Sequence, residues 1–125
     1  KNRIKNKKIS FLGVTFKANT DDMRDSSSLK MIPYLSRKGA KIKYYDPTGS
    51  KKEFKNLKNV EFSKSIEETV KSSDLVIVHT EWNDFKSINF KKISKNKNLI
   101  IYDLRNIFSP DKIQKKGLKY FGIGR

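Results

Sequence analysis

The fold class this sequence predicts is α/β: a single domain built on a parallel sheet with helices on both faces. Three observations carry it. Short apolar runs alternate with stretches of helical period, the pattern of strand–helix–strand units. One run, Leu75 to Val78, is apolar without a break, as a strand covered on both faces requires. The 125 residues suffice for one domain with its own core. Residues 1–8 (KNRIKNKK) carry no core signal and read as a basic lead-in from a preceding domain, so the domain proper is 9–125. Its first strand is Ile9 to Val14. Leu29, Ile32 and Leu35 then recur at helical spacing, which predicts a helix from about Ser27 to Lys38, ended by Gly39. Lys41 to Tyr45 is the second strand, closed by the Asp46-Pro47 turn. Residues 48–59 read as a polar, lysine-rich loop. A short helix is expected over Ser65 to Ser72, capped by Ser63 or Ser65, with Glu67 and Glu68 suited to its first turn. The third strand is Leu75 to Val78. A short helix around Phe90 to Ser94 leads to a fourth strand, Leu99 to Tyr102. Pro110 opens a last helix to Lys116. Leu118 to Gly122 completes about five strands in a Rossmann-like alternation.

Composition narrows the chemistry. There is no cysteine, hence no disulfide, thiolate metal site or cysteine nucleophile in this chain. A lone histidine, His79, argues against a histidine metal centre. No apolar run approaches the roughly 20 residues a bilayer span needs. No signal peptide is visible, so a cytoplasmic protein is expected. The net charge of +16 raises a nucleic-acid-binding module as an alternative. Of the 29 basic residues, however, 24 are lysines spread along the chain, which reads as a solvated surface. The five arginines are then informative, because Arg24 and Arg105 sit in the two densest motifs.

The most informative stretch is Phe16 to Ser28 (FKANTDDMRDSSS), directly after the first strand. Open α/β sheets bind ligands beyond the carboxyl ends of their strands. Phe16-Lys17, Tyr45-Asp46-Pro47, Thr80-Glu81-Trp82 and Asp103-Leu104-Arg105 all follow strands, so a parallel sheet gathers them on one rim. Two cations in the first loop suggest an anionic ligand such as a diphosphate. Lys17 is either a donor to that group or one more exposed lysine. Arg24 either reaches a second anionic group or pairs with Asp21, Asp22 or Asp25. The fork of Arg105 suits a phosphate or a base edge, and a salt bridge to Asp103 is the competing use. Ser26-Ser27-Ser28 reads as a capped helix start, and His79 as a satisfied residue at a strand end. Trp82 and Phe85 read as packing over the rim or against another domain. No acid/base pair with catalytic geometry stands out. Neither G-x-G-x-x-G nor G-K-[ST] is present, so binding of a dinucleotide in the usual fingerprint manner is not expected.

The run Gly13 to Ser26 closely resembles the opening of the C-terminal domain of UDP-glucose 6-dehydrogenases. Tyr45-Asp46-Pro47, Thr80-Glu81-Trp82-Asn83-Asp84-Phe85, Asp103-Leu104-Arg105-Asn106-Ile107 and the ending Tyr120 to Arg125 resemble the same domain, in the same order. The wider nucleotide-sugar dehydrogenase family, which includes enzymes for UDP-amino sugars and GDP-mannose, shares the fold. The resemblance implies an oxidoreductase of three parts: an NAD-binding N-terminal domain, a central helical segment that makes a homo-oligomer, and a C-terminal domain holding the UDP end of UDP-glucose. It implies that Phe16, Lys17 and Arg105 contact the UDP-sugar, and that Arg24 reaches across the cleft toward NAD. Asp103, Glu81 and Trp82 are expected to be supporting structure. The family's reaction runs through a cysteine thiohemiacetal and thioester, so this domain alone is expected to be inactive. Leu104 stands where many relatives have glycine.

Overall fold

The computed structural model describes residues 3–124; Lys1 and Asn2 of the lead-in and Arg125 of the closing motif lie outside them. In chain order the elements are β1 (Lys8–Leu12), α1 (Ser28–Arg37), β2 (Lys41–Tyr45), β3 (Val60–Phe62), α2 (Ile66–Val70), β4 (Leu75–Val78), α3 (Phe90–Ile93), β5 (Ile100–Asp103), α4 (Pro110–Lys115) and β6 (Lys119–Gly122). Every strand pair is parallel, in the order β3-β2-β1-β4-β5-β6. β3 is the strand beyond the five expected from sequence. It is three residues long with an exposed Glu61 at its centre, too short and too polar to announce itself.

The two faces follow from the handedness of parallel crossovers. Connections running from β1 toward β3 lie on one face, where Ile32 of α1 packs with Ile9, Phe11, Ile42 and Tyr44. Connections running from β3 across toward β6 lie on the other, where Val70 of α2, Phe90 of α3 and Ile113 of α4 pack with Leu12, Val76, Val78 and Ile101. Helices therefore cover both faces: α1 lies against β2 on one, and on the other α2 lies against β1 and β2 while α4 lies against β6. Ser65, not the buried Ser63, caps α2: its side chain accepts the Glu68 N–H at 3.1 Å. Trp82 and Phe85 are buried in the second of these cores, and the indole Nε1–H of Trp82 meets no acceptor among the described residues.

Candidate functional site

Strand order reverses between β1 and β4, so the loops leaving them part company there, and a crevice at that point is where such sheets take ligands. Gly13 makes the geometry of that point. Its φ is +79°, and a Cβ built on it would lie 2.6 Å from Thr80 Cβ and 2.8 Å from Thr80 Oγ1. Only glycine lets the β1 loop turn with a left-handed residue while touching the β4 loop.

The loop 13–27 is held from several sides. Asp46, at the end of β2, accepts the Val14 N–H at 2.8 Å. Thr80 donates its hydroxyl to the Thr15 carbonyl at 3.0 Å. Within the loop the Phe16 N–H reaches the Asp22 carbonyl at 3.0 Å, and Met23 is buried in the α1-side core. The three serines do not cap the helix in the expected way. Ser26 and Ser28 both donate to the Val14 carbonyl at 2.6 Å, while Ser27, the N-cap, makes no side-chain cap bond and instead meets His79 Nε2 at 2.9 Å. The hydroxyls are buried or turned toward β4 and chiefly tie helix to loop; one helix amide, the Ser28 N–H, is met by Ser26 Oγ at 3.3 Å.

Arg105 and Phe16 come together on this rim. Arg105 donates Nε–H to the His79 carbonyl at 3.1 Å and a terminal N–H to the Phe16 carbonyl at 3.0 Å. The expected competitor, a salt bridge from its guanidinium to Asp103, is not formed. Asp103 is fully buried and accepts from the Arg105 backbone N–H, the Phe108 N–H and the Tyr120 hydroxyl at 3.1, 3.0 and 2.7 Å. Asp103 thus shapes the turn that presents Arg105. A guanidinium has five N–H groups. Two are spent on carbonyls, and the side chain is exposed, so the rest of the fork is available to a ligand. Phe16 is 46% exposed, an apolar ring beside that fork. Lys17 is exposed next to it; its carbonyl accepts from Thr15 Oγ1 at 2.9 Å.

Arg24 lies farther along the loop and takes the partner left open among three aspartates. It forms a two-point pair with Asp22, Nε and a terminal nitrogen each 3.0 Å from a carboxylate oxygen. The hydrogen bonds from Arg24 hold the Asp22 carboxyl down at about 2. The pair fixes the guanidinium plane while its side chain stays 88% exposed. Among the described residues no group of histidine and carboxylate side chains is suited to a metal ion.

His79 is the residue whose part in the site the sequence did not announce. Thr80 spends its one hydroxyl proton on Thr15, so it accepts from His79 Nδ1–H at 3.0 Å. That leaves Nε2 to accept from Ser27. Burial, and after it the neighbouring Arg105 cation, pushes the imidazole from 6.5 down to about 4. Between those values the unfolded chain takes up a proton that the folded one refuses. Stability is therefore full above about pH 6.5 and falls as pH drops toward 4, by about 3 kcal/mol in all. Urea unfolding at pH 7 and pH 4.5 should show this loss in the wild type and a much smaller one in His79→Gln. Equal losses in the two proteins would mean that other groups set the acid sensitivity.

Residues 10–110 match the UDP binding domain of the UDP-glucose/GDP-mannose dehydrogenase family. The chain belongs to this family. Two curated relatives are similar over nearly its whole length. A UDP-glucose 6-dehydrogenase of Rhizobium meliloti (strain 1021) is 37% identical over 98% of the chain, and one of Rickettsia bellii (strain RML369-C) is 40% identical over 97%. The chain spans only 28% and 29% of these two relatives. A crystal structure of an NDP-N-acetyl-D-galactosaminuronic acid dehydrogenase from Methanosarcina mazei Go1 superimposes with a TM-score of 0.84 at 30% identity, covering 98% of this chain and 26% of the other. Within the family, this is the C-terminal domain that binds the UDP-sugar, here without any cysteine.

Proposed function

We propose that this chain holds the UDP end of a UDP-sugar in an NAD-dependent nucleotide-sugar dehydrogenase. The carrying observation is Arg105, pinned by two main-chain carbonyls at the point where strand order reverses, with the remainder of its fork free. A fork fixed in this way suits the two oxygens of a phosphate or the edge of a base. Phe16 supplies a ring to lie against the ligand, and Lys17 a point charge for a diphosphate. Contacts to the nucleotide end are remote from the carbon being oxidised, and their use is to hold that carbon in place for hydride transfer.

The residues present do not form a dinucleotide cradle for NAD. The Val14 N–H of the β1 turn is taken by Asp46, the start of α1 is reached only after a long loop, and the glycine fingerprint is missing. NAD binding is therefore assigned to a preceding domain of a longer enzyme. Arg24, its guanidinium aligned by Asp22 and exposed, is the one group we assign to face it. The nucleophilic cysteine must come from the same preceding part.

The curated relatives are named for UDP-glucose, which makes UDP-glucose the first substrate in this reading. A second reading, a UDP-amino sugar, is favoured by the Methanosarcina mazei structure. A domain whose contacts are to the nucleotide is compatible with either sugar. The test is an amide NMR titration of this chain with UDP, against GDP and inorganic phosphate, at salt high enough to screen its lysines. Shifts clustered at Phe16–Lys17 and Asp103–Asn106 for UDP alone are expected. Diffuse shifts with every anion would reduce binding to the lysine surface and sink the assignment.

A further inference from the structure

The crossovers leave the β5–β6 half of the α1 side without a helix and the β2–β3 half of the α2 side bordered only by α2, and the side chains the two expose differ. On the α2 side, the half over β2 and β3 presents Lys41, Lys43 and Glu61, around a hollow of about 480 Å³ that also takes in Lys8, Ser10 and Thr69 of α2. Of these, Lys8, Lys41 and Glu61 are exposed, and all three are charged. On the α1 side, the bare half over β5 and β6 presents Ile100, Tyr102, Phe121 and, just beyond, Ile123. Tyr102 is 42%, Phe121 46% and Ile123 57% exposed. Tyr102 and Phe121 sit opposite one another in the register and stack, with ring centroids 5.1 Å apart at 25°. Stacked aromatics left open on a sheet otherwise rich in lysine mark a contact surface.

A groove of about 730 Å³ runs along this half-face, and its walls identify what fills it. Its lining includes Arg3, Ile4 and Lys7 together with Ile100, Tyr102 and Lys119. The lead-in thus enters the domain at the mouth of the groove. In the relatives, roughly 70% of the length lies outside the matched domain, and this domain is the C-terminal one, so that length reaches the fold through the lead-in. Arg3, Lys7 and Lys119 make the rim mainly basic, with Asp74 the single acid of the lining.

We propose that the Tyr102–Phe121 face is the seat of the part of the enzyme that precedes this domain: an amphipathic segment with an apolar face for the stacked rings and acidic flanks for the basic rim. The proposal rests on the reading of this chain as one domain of a longer dehydrogenase. Seating a rigid segment there would fix the tilt of the whole sheet, and with it the position of Arg105 over the other domain.

Hydroxyl-radical footprinting of the longer enzyme and of the 125-residue chain, each at a concentration where sedimentation gives a fixed state, tests it. Oxidation at Tyr102 and Phe121, normalised to the exposed Tyr34 of α1, is expected to fall at least fivefold in the longer enzyme. An unchanged ratio overturns the seat. Protection that appears in the 125-residue chain alone, rising with its concentration, overturns it in favour of a second copy as the occupant. UDP-sugar oxidation by the same longer enzyme is measured in parallel. Turnover without protection discards only the seat, whereas protection without turnover discards the functional reading and keeps the seat.

Discussion

Replacing Gly13 by alanine is expected to destabilise the domain by about 2–5 kcal/mol. The left-handed backbone contributes about 1–2 kcal/mol of this. The forced contact adds a further ~1–3 kcal/mol, because the new methyl would stand 2.6 Å from Thr80 Cβ. Moving Thr80 aside breaks its bond to the Thr15 carbonyl, so the loop carrying Phe16 and Lys17 loosens as well. Gly117 is the matched control. Its φ of +82° is almost the same, but a Cβ there meets nothing within 4 Å. Gly117→Ala should therefore show the backbone share alone, about 1–2 kcal/mol. Urea unfolding of both variants measures the difference, and equal costs would remove the close approach to Thr80 from the account.

Arg105→Lys should lower UDP affinity, and kcat/KM for the UDP-sugar in the longer enzyme, by about 10- to 100-fold, the worth of a charge-assisted hydrogen bond in a fixed geometry. Lysine keeps the charge and loses the fork. It cannot bond the His79 and Phe16 carbonyls together and still face a ligand with donors in one plane. The same titration that maps UDP binding reads the effect. Thermal unfolding separates it from damage to the fold, since two neutral acceptors on a half-open rim account for only about 1–2 kcal/mol. Full affinity in the lysine variant would show that charge alone is read at this position.

Much of this was legible in the chain itself. β2 and β4 span the residues read for them in the sequence, and the gathering of Phe16, Asp46, Thr80 and Arg105 on one rim follows from parallel strands alone. What the sequence left open or misled on has one cause. Ser26 and Ser28 have the sequence of a helix cap, but both hydroxyls donate to one carbonyl twelve and fourteen residues back, and only Ser26 also accepts a helix amide. Asp103 stands two residues from Arg105 in sequence, yet its carboxylate is used inward, by Phe108 and Tyr120, as well as by the arginine's own amide. His79 holds Arg105 through its carbonyl, an atom every residue has, so no residue type could signal that contact. Local sequence shows which groups are available. Tertiary packing decides which of them are already spent.

The central place of β1 has a consequence for the order of events during folding. β1 lies between β2 and β4, and its partner Leu75 is far along the chain from Ile9. Pairings of such separation form late, because the intervening chain must first be brought to order. The first half, β1 to β3 with α1, can collapse around its own core and hold the base of the Phe16 loop through Asp46, Ser26, Ser28 and buried Met23. Thr80 and Arg105, which fasten Thr15 and Phe16, arrive with β4 and β5. As the chain emerges during synthesis, no half-made domain offers the finished rim. The candidate site closes only with the sheet, so a partly folded chain lacks the fastened pairing of Phe16 and Arg105 on which the proposed nucleotide contact rests.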